Sequence, residues 1–198
     1  MIGWIINSQG EALDYSIDNV LNFWFGEETR EQWFKKDAAF DQIIAERYIN
    51  LVDFTANEID QNGIAPWEGD PRGDLASIIV LDQFPRNIFR DSARAFSYDE
   101  KALALTRRAM QRESDMALPD GQRPFVYMPL MHAEDLEAQE LSVVVFKERF
   151  AEPENLPWAI EHRDIIKRFG RFPHRNPLLG RESTPEEIQY MDGGGFSG

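Results

Sequence analysis

The 198-residue sequence contains no cysteine. Disulfide bonds, thiolate metal sites and a cysteine nucleophile are therefore excluded, and the absence suits a reducing compartment. Basic residues are also few, because 21 Lys and Arg stand against 35 Asp and Glu, which gives a formal net charge of −14. Phosphate backbones and anionic lipids repel so acidic a surface. We therefore expect neither nucleic acid nor a membrane as a partner.

Long hydrophobic runs are missing as well. No segment approaches the roughly 20 apolar residues that are needed to cross a bilayer. The start of the chain has a short apolar run, Trp4 to Ile6, without the basic region and the longer apolar stretch of a signal peptide. We therefore predict a soluble, cytoplasmic protein.

The sequence does contain enough apolar area for one core. Hydrophobic residues make up 42% of the chain, and 14 Phe and 5 Trp supply large side chains. A chain of this length typically folds as one domain. We predict an N-terminal extension over residues 1–15, a helical domain over residues 16–190 and a flexible glycine-rich tail over residues 191–198.

Apolar residues recur at intervals of three or four along most of the chain, which predicts helices. The clearest run extends from Asp37 to about Asp60. Residues 75–81 are apolar nearly all round, so this helix should be buried. We find no period-two alternation with hairpin turns, which is the pattern of strands. The predicted fold class is therefore all-α, with seven or eight helices in a single domain.

Two of the predicted helices are compared with the structure below, and one of them has a clear start signal. Ser97 and Glu100 have the spacing of a capping box, in which each side chain bonds the other residue's backbone N–H. A later helix is predicted from about Ala133 to Phe150.

Several polar side chains occupy helix positions that the periodicity assigns to the core. Asp82 lies at the end of the buried helix, where a carboxylate needs a partner. His132 and Gln139 extend an apolar stripe, and Asp135 flanks both of them. Polar and apolar groups are therefore expected to share one face.

The other two histidines are also expected near the core. His162 follows Trp158 by four residues on a predicted apolar face, and His174 lies after the stiff Pro173. Trp158 is assigned to the core with the other tryptophans. The histidines could be hydrogen-bonded core residues, or they could make acid/base or ligand contacts. Metal ligation is less favoured, because no HExxH or paired ExxH spacing occurs, and we expect neither metal nor cofactor.

A cationic segment stands out in this acidic chain. From His162 through Arg181 there are six Lys or Arg and one acid, Asp164. Arginine's planar fork suits carboxylate or phosphate groups, so the segment could bind internal acids or an anionic ligand. In the first case three arginines pair with three upstream acids. The arginines are Arg168, Arg171 and Arg175, and the acids are Asp82, Glu134 and Asp135.

Eight short motifs carry a resemblance to a known family. They are NVLNFWFG (19–26), WFKKD (33–37), LDQFPRN (81–87), RAF (94–96), MPLMH (128–132), ED (134–135), QE (139–140) and RFGRFPHRN (168–176). With them the chain resembles, over roughly residues 17–190, the bacterial family known as domain of unknown function 924. The resemblance implies an all-α right-handed superhelix similar to tetratricopeptide-repeat proteins and no particular activity. Met131 departs from the pattern, because many relatives have a polar residue there.

Two functions stay open for the site that we predict where residues 82–87, 132–139 and 162–176 meet. In the first, the chain is a small-molecule binding protein or enzyme, in which arginines hold an anionic ligand and a histidine moves a proton. In the second, a helical surface binds a peptide or protein, and the polar cluster only clamps helices together. The candidate catalytic residues are His132, His174 and Asp135, and the candidate ligand-binding residues are Asp82, Arg86, Asn87, Gln139, His162, Arg168, Arg171, Arg175 and Asn176.

Overall fold

The computed structural model describes residues 4–6, 12–33, 35–151 and 154–197. Its helices are α1 Ile17–Trp24, α2 Glu27–Arg30, α3 Ala38–Asn62, α4 Pro71–Ile78, α5 Phe84–Ile88, α6 Asp99–Gln111, α7 Pro124–His132, α8 Leu136–Glu148, α9 Leu156–Phe169 and α10 Pro185–Asp192. A π-helical turn, Ile79–Gln83, joins α4 to α5, and 3-10 turns cover Ala93–Phe96, Ser114–Ala117 and Pro173–Arg175. The predicted all-α class is confirmed.

The helix number differs slightly from the prediction. Because α4 and α5 are continuous through the π turn, the ten helical segments of the described residues amount to nine helices. One of them, α2, has only 4 residues, which are too few to show a helical period. None of the described helices is long and apolar enough to cross a membrane. The resemblance to a tetratricopeptide-repeat superhelix stays a prediction.

A small antiparallel ribbon precedes the helices. Strand β1, Trp4–Ile6, pairs with strand β2, Ala12–Asp14, and Ile5 lies opposite Leu13. The expectation of no strand is wrong here, because three residues on each side are too few to show a period of two. The ribbon lies within the predicted N-terminal extension and leaves the fold class unchanged.

The predicted capping box at Ser97 and Glu100 is not formed. Helix α6 begins at Asp99, and the Ser97 hydroxyl donates instead to a backbone carbonyl at 3.5 Å. A complete capping box occurs at the start of α10, between Thr184 and Glu187. The spacing of a capping box therefore marks a helix start to within a few residues without fixing it.

Helix α8 begins three residues later than predicted. The carboxylate of Asp135 accepts hydrogen bonds from the backbone N–H groups of Glu137 at 2.8 Å and Ala138 at 3.4 Å. These are donors that a helix start leaves without an intrahelical partner. Asp135 is therefore the cap of α8, and Leu136 is its first residue.

The core is centred on α4 and the π turn. Every residue from Leu75 to Asp82 is fully buried. Helices α1, α6 and α7 pack against α4, whereas α3 packs against the π turn and α5. Helix α7 also contacts the π turn, and α8 packs between α7 and α9. This packing brings the end of α7 to the buried Asp82.

One peripheral residue differs from expectation, and the C-terminal tail makes contacts that were not predicted. Trp158 is 54% exposed rather than buried, because it lies in the first turn of α9, and periodicity does not show how far along a helix the apolar face is covered. The C-terminal tail contacts the domain through Phe196, and its flexibility stays a prediction. The Phe196 N–H donates to the Tyr190 hydroxyl at 3.0 Å, and the Phe196 ring lies 4.6 Å from that of His162.

Candidate functional site

The π turn between α4 and α5 places one carboxylate inside the protein. Pro85 lacks the N–H that would bond the carbonyl of Leu81, and its ring would crowd that carbonyl in a regular α-helix. The wider π turn relieves this conflict, and turns of this kind occur frequently at functional sites. Asp82 lies within the turn and is fully buried.

Asp82 has partners on both carboxylate oxygens. Its Oδ1 lies 2.7 Å from Nδ1 of His132, and Nε2 of Gln83 donates to its Oδ2 at 2.5 Å. The guanidinium of Arg86 lies 3.6 Å from Oδ1. Burial raises the pKa of Asp82, but His132, Arg86 and the two hydrogen bonds outweigh burial and lower it to about 2. The side chain is therefore ionised at neutral pH.

His132 is the partner that reaches toward the surface. Burial lowers the pKa of His132 and the charge of Arg86 lowers it further, while Asp82 opposes both. The ring is therefore neutral at pH 7, and its Nδ1–H donates to Asp82. The other nitrogen, Nε2, then carries a lone pair, and no side chain in the described residues bonds to it. The side chain is 16% exposed, so this lone pair belongs to a partly accessible ring.

Gln139 holds the backbone on both sides of His132. Its Nε2 donates to the carbonyl oxygens of Met131 at 2.6 Å and Ala133 at 2.7 Å. Gln139 is fully buried, so the structure places this predicted ligand-binding residue behind His132.

Two arginines share a carboxylate that sequence analysis did not single out. Nη2 of Arg86 and Nη1 of Arg175 lie 3.1 and 3.2 Å from Oδ2 of Asp99. Arg175 is also held between the rings of Phe96 and Phe172, at 4.4 and 4.5 Å from their centroids. Burial lowers the pKa of Arg175 to about 10 although Asp99 opposes it, so the guanidinium stays charged. Asp99 begins α6, where an acid is an ordinary helix-start residue, so its sequence gives no sign of this role.

The remaining two histidines lie next to each other behind the C-terminal segment. His162 is buried, and its Nδ1 lies 2.8 Å from the carbonyl oxygen of Trp158. Nδ1 of His174 is buried without a hydrogen-bond partner among the described residues. The Phe196 ring lies 4.6 Å from His162 and 5.3 Å from His174.

Both of these histidines are neutral at pH 7. Burial, aided by the charges of Arg175 and Arg86, lowers the pKa of His162 to about 4. Burial, aided by Arg175 and by His162, lowers the pKa of His174 to about 3. These electrostatic interactions link the segments that were predicted to meet. Hydrogen bonds across them join His132 to Asp82 and the Phe172 N–H to Glu134.

The predicted pairing of the arginines with upstream acids is wrong in its partners. Arg168 pairs with Glu186 at 2.9 Å, Arg171 pairs with Glu187 at 2.7 Å, and Arg175 pairs with Asp99. Two of these partners belong to α10, a short terminal helix whose position relative to α9 no local pattern reveals. The upstream acid Glu134 is instead bound by Arg181 at 2.6 Å and accepts from the Phe172 N–H at 2.8 Å.

Three further candidates lie apart from the Asp82–His132 pair. Asp135 caps α8 with its side chain 46% exposed and pairs with Arg107 at 3.4 Å, so it does not orient a histidine. Asn87 donates to Asp41 at 2.8 Å. Asn176 is fully buried and accepts from Arg181 at 3.0 Å. Within the part of the chain that the structure describes, no group of three His, Asp or Glu side chains is arranged to hold a metal ion.

Comparison with known proteins places this chain in a family. The model of a family described as bacterial protein of unknown function (DUF924) matches residues 20–195. The chain belongs to the DUF924 family. A solved structure, described as a protein of unknown function from Agrobacterium tumefaciens, is 38% identical and superposes with a TM-score of 0.79. The match covers 89% of this DUF924 chain and 97% of the other. No curated protein is similar enough to count as a match.

Proposed function

We propose that this DUF924 protein binds a small anionic molecule beside His132 and that His132 transfers a proton to or from it. The observation that carries the proposal is the 2.7 Å contact between Nδ1 of His132 and the fully buried carboxylate of Asp82. A carboxylate on one ring nitrogen fixes the tautomer and leaves the other nitrogen as a base. The arrangement therefore supports general acid/base chemistry at Nε2.

The protonation state of His132 suits this role. Its pKa lies below the usual value because of burial and Arg86. A neutral imidazole at pH 7 accepts a proton, and the ionised Asp82 then stabilises the imidazolium that forms. Asp135, another predicted catalytic residue, has no such role in the proposal because its carboxylate caps α8.

Two buried polar atoms that lack hydrogen-bond partners among the described residues are the candidate ligand contacts of the proposal. Arg175 has five N–H groups, and among the described residues its Nη1 bonds Asp99 while its buried Nε lacks a partner. Nδ1 of His174 is likewise buried and unpaired in the described part. The charges of Arg86 and Arg175 are balanced by Asp82 and Asp99. Recognition of an anion would therefore rest on directed N–H groups rather than on an excess of positive charge.

Thermal-shift screening against carboxylates and phosphate monoesters tests the proposal, with Asp82→Asn and His132→Gln beside the wild type. A ligand at 100 times its dissociation constant stabilises by about 2.7 kcal/mol. We expect the wild type to respond and His132→Gln to lose turnover of the responding compound. The matched control is Asp135→Asn, which makes the same chemical change at an exposed cap. A wild type that responds to no compound, together with variants that lose only stability, would favour a structural clamp.

A second candidate function, peptide or protein binding, is favoured by one observation. Trp158, Ile160 and Ile188 are 54%, 37% and 50% exposed. Of these three, Ile160 lines a groove of about 440 Å³, which is formed by residues of α9 and by Tyr190. Exposed apolar groups of this kind occur at interaction sites. Panning a peptide library against the wild type and Trp158→Ser separates the two functions, since peptides that bind both proteins equally would speak against this surface.

A further inference from the structure

Gln139 uses both of its amide hydrogens on the backbone around His132. Its Nε2 donates to Met131 and Ala133, the residues immediately before and after His132. We infer that Gln139 is a positioning residue that fixes His132 for proton transfer, an inference that rests on the function proposed above. Gln139 itself touches neither the reacting nitrogen nor a ligand.

The backbone at His132 needs an outside donor. His132 is the last residue of α7, and Ala133 turns to an extended conformation with φ −74° and ψ 137°. The last carbonyls of a helix have no intrahelical donor, and a buried carbonyl without a partner is costly. Gln139 supplies a donor to the carbonyls of Met131 and Ala133, both of which are buried residues.

The chain reversal between α7 and α8 explains how Gln139 reaches these carbonyls. Asp135 caps α8, so only a short turn separates His132 from the first residue, Leu136. Gln139 is the fourth residue of α8, one turn in, and it faces back toward the end of α7. Its position therefore depends on the cap, which links the exposed Asp135 indirectly to His132.

His132 is consequently held at both ends. Asp82, on the π turn, binds the ring, and Gln139, on α8, binds the backbone. Proton transfer depends steeply on placement, and a displacement of about 1 Å can reduce a rate about 100-fold. If Asp82 alone held the ring, the backbone at the end of α7 could shift and carry the ring with it.

A direct ligand contact is the competing role for Gln139. Both of its donor hydrogens are already used, and the side chain is fully buried. Its Oε1 is buried and lacks a partner among the described residues. The geometry therefore favours the positioning role.

The inference is tested by NMR of the imidazole nitrogens of His132 in the ligand-free protein. Gln139→Leu removes both donors, and Gln139→Glu keeps the size but cannot donate when ionised. In both variants we expect His132 to lose its single Nδ1–H tautomer and its pKa to rise toward the usual value of about 6.5. His132 signals identical to those of the wild type in a folded variant would overturn the inference.

Ser142→Ala is the matched control. Ser142 is fully buried on the next turn of α8, and its Oγ has no partner among the described residues. This change removes a buried polar group from α8 without touching the carbonyls around His132. The His132 signals should therefore stay as in the wild type, and a change equal to that of the Gln139 variants would also contradict the inference.

A measurement on the wild type keeps the test independent of how well the variants fold. The side-chain amide protons of Gln139 should exchange with solvent far more slowly than those of the exposed Gln42. Equal exchange would overturn the inference. If His132 responds to Gln139 as expected but no ligand is ever turned over, the proposed function fails and the contact remains. If turnover is found and the NMR signals of His132 do not change in the Gln139 variants, only this inference fails.

Discussion

Replacing Asp82 with Asn tests how strongly the buried pair depends on its negative charge. Asn has the same shape but cannot balance Arg86, and its NH₂ group can turn toward Nδ1 of His132 and favour the opposite tautomer. Removing one partner of a buried ion pair typically costs about 3–5 kcal/mol. Because Arg86 keeps its contact with Asp99 at 3.0 Å, we expect the lower end, about 3 kcal/mol.

Urea unfolding of Asp82→Asn measures this loss, and NMR of the imidazole nitrogens reports the tautomer. The control is Asp135→Asn, where an exposed cap is replaced by an equally good one, so the change should stay within about 0.5 kcal/mol. A loss at Asp82 no larger than the loss at Asp135, with His132 still protonated at Nδ1, would show that the negative charge of Asp82 does not hold the pair.

Acid sensitivity, the C-terminal segment and Trp158 each give a further prediction. In the folded protein the pKa values of His162 and His174 are about 4 and about 3. In the unfolded chain both histidines have the usual pKa of about 6.5, so below that pH the unfolded chain binds more protons than the folded protein. The free energy of unfolding in urea should therefore fall as the pH drops from 6.5 toward 3, and a flat profile would contradict this. Deleting residues 193–198 should raise both histidine pKa values in an NMR titration, whereas unchanged values would argue against the Phe196 contact. Trp158→Ala should change the free energy of unfolding by less than about 0.5 kcal/mol, against about 3–5 kcal/mol for the buried Trp24→Ala. Equal losses would contradict the exposure of Trp158.

Local patterns predicted the helices and the inward-facing polar residues well. The apolar period revealed the buried helix that contains Asp82 and the inward positions of His132, Gln139 and His162. These predictions succeed because they depend on which face of one helix is buried, and a periodic sequence encodes that directly.

The ion-pair partners of the polar side chains were harder to predict than which helix face those side chains lie on. Arg175 pairs with Asp99 and Arg171 pairs with Glu187. Both pairs depend on the tertiary positions of α6 and α10, which carry the two acids. An acid near a helix start is ordinary, so the sequence does not distinguish a capping carboxylate such as Asp135 from a shared one such as Asp99. The π turn was equally hidden, since it is a response to the proline after Phe84 within a buried helix.

The proposed function requires His132 to be a neutral base with its proton on Nδ1. Long-range ¹H–¹⁵N correlation of the imidazole in the wild type at pH 7 tests it most directly. We expect a protonated Nδ1, an unprotonated Nε2 and a pKa below the usual value. An imidazolium at pH 7, or a neutral ring with its proton on Nε2, would contradict it.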